Sequence, residues 1–204
     1  MSKAEEIRQA SVDHTAPAFL KILLEERFPH KTAVTVSLRA RSIVVLSMVA
    51  EIDAAARIIF CHAPDLYPES TEYRDRIIEQ LKLTDVRIAD HREPAAPADT
   101  VPYVEDIWAD VWGGGREHSV QHLNRLLDGF NCWISAVYHR PYGDLGIARV
   151  ADEGDLIRVD LLHGWTQEHV YAYMAEHDLS PHPHIELKEP RPSLVGSAVV
   201  TYHY

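Results

Sequence analysis

The sequence of 204 residues is poor in long hydrophobic runs. It contains no stretch of eighteen consecutive apolar residues, so no membrane-spanning helix is expected. The first residues, Met-Ser-Lys-Ala-Glu-Glu, lack the basic-then-apolar order of a signal peptide. The sequence therefore predicts a cytoplasmic protein that is not attached to a membrane.

Cysteine is also scarce. Cys61 and Cys132 are the only two, and both lie in apolar runs that are typical of strands. This placement favours buried free thiols over a disulfide, as in a reducing cytoplasm. Cys61 is interpreted as a packed strand residue and not as a nucleophile.

Positive charge is in deficit. The chain has 20 Lys and Arg residues and 31 Asp and Glu residues, which gives a formal net charge of −11. General binding of nucleic acid needs a surplus of Lys and Arg against the phosphate backbone. The composition excludes that class of function and leaves room only for a local basic pocket.

What the chain does have is 46% apolar residues, enough for the core of one domain of ordinary size. Strand-like and helix-like patterns alternate, which predicts an α/β fold with a mostly parallel five-stranded sheet and helices on both faces. The predicted strands are 32–37, 57–62, 85–90, 132–138 and 156–162, and the predicted helices are 3–28, 42–51, 70–83, 104–112, 117–128 and 166–177. The predicted division of residues 1–204 is an N-terminal helix (1–30), an α/β core (32–179) and an irregular C-terminal tail (180–204).

Two strand-to-helix crossings stand out within this pattern, residues 37–42 and 62–69. In a parallel sheet, ligands bind beyond the carboxyl ends of the strands. Both crossings are therefore expected to face one shared crevice.

Several stretches together resemble one known family. Residues 36–46 occupy a pyrophosphate-loop position, and residues 58–75 resemble an apolar strand, a turn and a helix start. The remaining stretches are 122–127, 132–140, 160–173 and 192–196. In this order they resemble the 3′-phosphoadenylylsulfate (PAPS) reductase family of the PP-loop, or adenine nucleotide alpha-hydrolase, superfamily.

The resemblance implies a single Rossmann-like domain that binds an adenine nucleotide or a sulfonucleotide. Carried over position by position, it implies nucleotide-binding roles for Ser37, Leu38, Arg39, Arg41, Ser42, His62, Ala63, Tyr138 and Arg140. His62 stands where the family has an Asp-Thr-Gly turn and His139 stands at its Arg-Arg pair, and these two histidines are the candidate catalytic residues. ATP or a sulfonucleotide is the expected ligand, and no cofactor is firmly implied, with Mg²⁺ left open as a companion ion. The resemblance also suggests a homodimer, and a protein partner is left open.

The sequence departs from the family pattern in its phosphate loop. The superfamily loop Ser-x-Gly-x-Asp-Ser is here Ser37-Leu-Arg-Ala-Arg-Ser42, so two guanidinium groups replace a glycine and an acid. Arg39 and Arg41 are either solvated surface charges or contacts to an anionic ligand. Cations at the amino end of a helix oppose its dipole, so a compensating anion or carboxylate is expected nearby.

The family's nucleophilic cysteine is expected in a C-terminal Glu-Cys-Gly-Leu-His segment, whereas this sequence finishes Val200-Thr-Tyr-His-Tyr204. Disulfide exchange needs a thiolate. Thiol-dependent PAPS reduction is therefore not expected.

The histidines leave alternatives open. His62 is either a half-buried side chain bonded to backbone or a contact to base or ribose that also serves as a general acid or base. His118 and His122 lie one helical turn apart and could chelate a metal only with further ligands from Asp110, Glu117 or Asp144. Pro181-His-Pro-His184 is interpreted as a mobile tail and not as a metal site, and no metal ligand is assigned.

Three functions compete at this point. The first is an adenine nucleotide or sulfonucleotide-binding protein with thiol-independent nucleotidyl chemistry at the α-phosphate, in the manner of a PP-loop nucleotidyl transferase or nucleotide hydrolase. The second is a non-catalytic, nucleotide-sensing or regulatory subunit of a sulfur-transfer system. The third is a metal-dependent hydrolase that uses the histidines between residues 118 and 144.

Overall fold

The computed structural model describes residues 3–12, 14–61, 67–89, 123–136 and 149–185. Its strands are β1 (Thr32–Val36), β2 (Arg57–Phe60), β3 (Val86–Ile88), β4 (Cys132–Ser135), β5 (Val150–Glu153) and β6 (Leu156–Val159). In this part of the chain they form one six-stranded sheet in the order β3-β2-β1-β4-β6-β5. Every pairing among β1, β2, β3, β4 and β6 is parallel. The predicted α/β fold with a mostly parallel sheet is confirmed.

The prediction of five strands missed the edge strand β5. It pairs with β6 in antiparallel register, with Val150 opposite Val159 and Glu153 opposite Leu156. The two strands are joined by Gly154 and Asp155, and Gly154 has a φ of 70°. Glycine at the first position of a two-residue turn favours a tight hairpin. That turn was the signal in the sequence for the additional strand β5.

Helices cover both faces of the sheet. They are α1 (Lys3–Val12), α2 (Ala16–Lys21), α3 (Ala40–Ile52), α4 (Ser70–Gln80) and α5 (Gln167–Glu176), with a π-helical segment at Ile22–Arg27 and a further helical stretch at 123–127. None of the described helices combines the length and the apolar character that crossing a bilayer requires.

Alternation along the strands divides the core into two parts. Val34, Ile58 and Ile134 belong to the larger cluster, which contains the buried sides of all five labelled helices. Ala33 and Trp133, their neighbours in sequence, belong to the smaller cluster with the stretch 123–127. Successive strand side chains point to opposite faces, so a parallel sheet buried on both faces is apolar at consecutive positions.

The single N-terminal helix predicted for residues 1–30 is instead broken. α1 ends at Val12, and Thr15 adopts an extended conformation (φ −63°, ψ 161°) as the N-cap of α2. Pro17 then lies in the first turn of α2. Proline is accepted there but disrupts a helix interior, because it lacks an N–H and crowds the carbonyl four residues earlier. The apolar stripe of residues 18–24 has helical spacing, and for this reason the sequence pattern predicted one continuous helix.

The predicted start of the last helix is confirmed. The Thr166 side chain accepts a hydrogen bond from the backbone N–H of His169 at 3.3 Å, and the Thr166 N–H donates to Nδ1 of His169 at 3.2 Å. These reciprocal bonds form a capping box. Gly129 has a φ of 80° after the helical stretch 123–127, as predicted for a left-handed helix end.

Candidate functional site at the carboxyl edge of the sheet

The carboxyl ends of the parallel strands meet at one edge, as the register predicts. β1 lies between β2 and β4. The chain proceeds outward from β1 through β2 to β3 on one side, and from β4 to β6 on the other. The connections therefore diverge between β1 and β4. In open α/β sheets this point of divergence is where ligands bind.

The loop after β1 occupies this point and is held by a serine network. The backbone N–H of Ser37 donates to Oγ of Ser42 at 3.0 Å, and the two hydroxyls lie 3.1 Å apart. The Ser42 hydroxyl also contacts the carbonyl of Ala136, just past β4, at 2.9 Å. These bonds tie the loop to both strands that flank the point of divergence.

Of the loop residues 37–42, only Arg39 has an exposed side chain. Leu38 and Ala40 are almost completely buried in the larger core cluster, whereas Arg39 is exposed. Ser42 is also inaccessible to solvent. Any contact of Leu38 with a ligand would have to use its backbone. The nucleotide-binding roles predicted for these residues stay predictions.

Arg41 bonds to residues that follow β6, on the other side of the point of divergence between β1 and β4. Its Nη2 donates to Oδ1 of Asp160 at 3.0 Å and to the carbonyl of Leu162 at 2.6 Å. The Arg41 side chain is 7% exposed and that of Asp160 is 20% exposed. Asp160 follows β6 directly and is the carboxylate that compensates a cation at the amino end of α3. Arg41 therefore fastens the β1–α3 crossing to the β6–α5 crossing.

Asp160 also lies close to two other basic side chains. Nδ1 of His163 is 3.9 Å from its Oδ2. Burial lowers the pKa of the Arg149 guanidinium, and the charge of Asp160 opposes that shift. No role was predicted for Asp160, although it follows a buried strand at the same edge of the sheet as Ser37. That position was the signal by which it could have been found.

Several predicted site residues lie outside the described residues. They are His62, Ala63, Tyr138, His139 and Arg140, together with the metal candidates Asp110, Glu117, His118, His122 and Asp144. The roles predicted for them remain predictions. In the described ranges, no three or more His, Cys, Asp or Glu side chains come together as a metal site.

Both cysteines are free and buried, as predicted. Burial raises the pKa of the Cys61 thiol far above its usual range and that of Cys132 to about 12. A hydrogen bond involving Thr32 and the charge of Lys3 act in the opposite direction on Cys132. Both thiols are protonated at neutral pH, so neither is a nucleophile in this conformation.

The interpretation of Pro181-His-Pro-His184 as a mobile tail is wrong, because this segment packs against α4. His182 is only 1% exposed, and its Nε2 lies 3.2 Å from Oγ of Ser70 at the start of α4. Prolines at 181 and 183 indicated an irregular path but did not reveal the buried imidazole between them. The segment is irregular and nevertheless packed.

A pocket of about 220 Å³ opens at the opposite, amino edge of the sheet. Its polar lining includes Asp53, Arg57 and Asp85. Asp85 is bonded to Nε of Arg57 at 2.7 Å, and Asp53 accepts the backbone N–H of Ala55 at 2.9 Å. These charges are occupied by protein partners, and the pocket lies away from the loop at residues 37–42.

Comparisons with known proteins agree on one family. The family model described as phosphoadenosine phosphosulfate reductase domain matches residues 31–187. A phosphoadenosine 5′-phosphosulfate reductase of Alkalilimnicola ehrlichii is 23% identical over 168 residues, which are 77% of this chain and 66% of that protein. An adenosine 5′-phosphosulfate reductase of Mesorhizobium japonicum is 28% identical over 160 residues, 78% of this chain and 62% of that protein. The chain thus matches slightly less than two thirds of the length of these relatives.

The fold is shared with a solved structure as well. The crystal structure of phosphoadenylyl-sulfate (PAPS) reductase from Candida auris, a phosphate complex, superposes with a TM-score of 0.65 and 15% sequence identity. The superposition covers 89% of each chain. Because the family model matches well over half of the sequence, this chain belongs to the phosphoadenosine phosphosulfate reductase domain family.

Proposed function

We propose that this protein binds an adenine nucleotide or a sulfonucleotide at the carboxyl edge of its sheet, against the loop at residues 37–42. The observation that carries the proposal is the position of Arg39. It is exposed directly before α3, at the point where the strand connections diverge. A guanidinium beside a helix amino end favours anionic groups by charge and by its planar set of donors.

Family membership supports the chemical class of the proposed ligand. Two relatives carry the names of reductases of phosphoadenosine and adenosine phosphosulfate. Both of those compounds are adenosine derivatives with an anionic phosphosulfate group. A ligand of this class would place its anionic end near Arg39, while Arg41 acts as a positioning residue through Asp160 and Leu162.

The binding proposal is tested by calorimetry with PAPS, adenosine 5′-phosphosulfate (APS), ATP and AMP. At least one of them should bind, and Arg39→Ala should weaken that binding about tenfold or more, since a hydrogen bond to a charged group contributes about 1.5–3 kcal/mol. Lys21→Ala is the matched control. It removes one exposed positive charge from α2 and should leave the affinity unchanged. Absence of binding by all four compounds, or an equal loss in both variants, would refute the proposal.

We further propose that any turnover at this site uses no thiol of Cys61 or Cys132. Both thiols are buried and protonated. A thiol-independent reaction would be attack of water on the α-phosphorus, which for APS releases sulfate and leaves AMP. His62 and His139 are the proposed acid–base groups for this step.

Turnover is tested by following AMP formation from APS chromatographically. The Cys61→Ala/Cys132→Ala variant should retain the wild-type rate, and His62→Ala should slow the reaction. Binding of APS without any AMP would instead support the non-catalytic, nucleotide-sensing function. Loss of AMP formation in a folded cysteine-free variant would contradict the thiol-independent reaction.

A further inference from the structure

The segment from Asp178 to Ile185 runs along α4 in the opposite direction. The side-chain amide of Gln80 donates to the carbonyl of Asp178 at 3.2 Å, at the carboxyl end of the helix. Further back, the Tyr73 hydroxyl donates to the carbonyl of Ser180 at 2.7 Å. His182 then meets Ser70, the first residue of α4. These contacts bring the segment to the amino end of α4, which lies at the carboxyl edge of the sheet.

The imidazole of His182 is bonded on both sides. Its Nδ1 accepts the backbone N–H of His184 at 3.1 Å and that of Ile185 at 3.2 Å. Because Nδ1 accepts two bonds, the hydrogen of the neutral ring is on Nε2, which faces Oγ of Ser70 at 3.2 Å. The neutral ring with hydrogen on Nε2 therefore closes a small loop and joins it to α4.

A second proton would disrupt this arrangement. Protonated Nδ1 is a donor and can no longer accept the N–H groups of His184 and Ile185. The charged ring would also be almost completely buried, since His182 is 1% exposed. Two backbone donors would lose their acceptor at the same time as an imidazolium is desolvated, and both changes favour opening.

The groups that face His182 come from each element packed around it. Tyr73 and Arg76 belong to α4, Tyr67 and Glu69 precede that helix, and His184 belongs to the segment itself. Burial lowers the pKa of His182, the charges of His184 and Arg76 act in the same direction, and Glu69 opposes them.

We propose that His182 is a proton-sensitive latch that fastens the segment Ser180–Ile185 to the amino end of α4. The neutral imidazole holds the segment closed at the carboxyl edge of the sheet, and protonation releases it. The latch does not depend on the identity of the ligand at residues 37–42.

The direction of the pH dependence follows from linkage. A native pKa below the ordinary value near 6.5 means that the open state binds more protons at acidic pH. The latch is therefore closed above about pH 6.5 and weakens as the pH falls through that value. Between the open-state and closed-state pKa values, opening increases by up to about tenfold per pH unit.

Amide hydrogen exchange measured by NMR between pH 7.5 and 5, corrected for intrinsic exchange rates, tests this latch. Protection of the His184 and Ile185 amides should fall with decreasing pH while the amides of β1 stay protected. His182→Asn offers an acceptor near the Nδ1 position without a titrating charge, so its protection should be independent of pH. His184→Gln removes the neighbouring half-exposed imidazole, whose Nε2 lies 3.5 Å from Oε1 of Glu69. This variant should retain a pH-dependent transition, but a smaller one, because the charge of His184 helps to lower the pKa of His182.

Three results would overturn the proposal. One is unchanged protection of these two amides in the wild type, and another is the same transition in His182→Asn, which would assign it to another group. The third is simultaneous loss of protection throughout β1, which would indicate global unfolding. Nucleotide binding is not a readout in this experiment, so failure of the latch and failure of the proposed function are distinguishable.

Discussion

At the scale of single residues, two arginines of one loop have opposite environments. Arg39 is exposed, whereas Arg41 is buried and bonded to Asp160 and to the carbonyl of Leu162. The two side chains are two positions apart at the start of α3, and neighbours at that spacing do not share a face of a helix. The guanidinium of Arg39 is therefore available to a ligand, while that of Arg41 joins the β1–α3 connection to the β6–α5 connection.

Replacing Arg41 should destabilise the protein far more than replacing Arg39. Arg41→Ala leaves the Asp160 carboxylate without the ion-pair partner at 3.0 Å and the Leu162 carbonyl without this donor, at a cost of about 3 kcal/mol. Arg39→Ala is an exposed substitution and should change the free energy of unfolding by less than about 0.5 kcal/mol. Urea denaturation of both variants measures the difference.

The double variant Arg41→Ala/Asp160→Ala is the control for this pair. It leaves no unpaired carboxylate and should recover part of the stability lost in Arg41→Ala. Equal stability of Arg41→Ala and Arg39→Ala would contradict a structural role for Arg41.

The two thiols should be unreactive in the folded protein. Both are fully buried, and burial raises the pKa of Cys132 to about 12 and that of Cys61 further. Since the thiolate is the reactive form, a disulfide reagent such as DTNB should modify neither cysteine at pH 8 until denaturant is added. Rapid modification of one thiol per chain under native conditions would show that its strand opens readily.

At the scale of elements, the strand-to-helix connections before α3, α4 and α5 differ in how the helix begins. α5 begins with a reciprocal cap between Thr166 and His169, whereas neither Arg39 of α3 nor Glu69 of α4 makes a side-chain cap bond. The amino ends of α3 and α4 both lie at the carboxyl edge of the sheet. Ser42 and Ser70, inside these helices, bond to distant parts of the chain.

Removal of the α5 cap gives a test at this scale. Thr166→Ala should lower the free energy of unfolding by about 1 kcal/mol, because the N–H of His169 loses its acceptor. Thr166→Ser keeps the hydroxyl and should retain most of the stability. Thermal or urea unfolding compares them, and an unchanged midpoint for Thr166→Ala would show that the cap contributes nothing measurable.

At the scale of the whole molecule, the net charge of −11 opposes binding to polyanions. An exposed Arg39 at one edge can bind a small anion, but a duplex would bring many phosphates close to an acidic surface. We expect no retardation of a short DNA duplex at 150 mM salt in a mobility-shift assay. Saturable retardation that weakens steeply with added salt would contradict this expectation and would require an extended basic surface.

Much of this fold could be predicted from sequence because its signals are local. The apolar runs Thr32–Val36 and Arg57–Phe60 lie within predicted strands, and Thr166 begins a predicted helix. Pro17 and Gly154 were equally local signals, for a broken helix and for a hairpin. The apolar stripe of residues 18–24 outweighed Pro17 and led to the prediction of one continuous helix. Gly154 was not interpreted as a turn between two strands, so the prediction contained five strands instead of six.

The sequence by itself determined the family, the mostly parallel sheet and the buried thiols, since these follow from the order of motifs and from apolar patterning. Only the tertiary structure decided the partner of Arg41, because Asp160 lies 119 positions away. It also decided the environment of His182, whose partner Ser70 is 112 positions away. The physical reason is that burial and pairing of a polar side chain depend on which distant segment the fold places against it, and no local pattern carries that information.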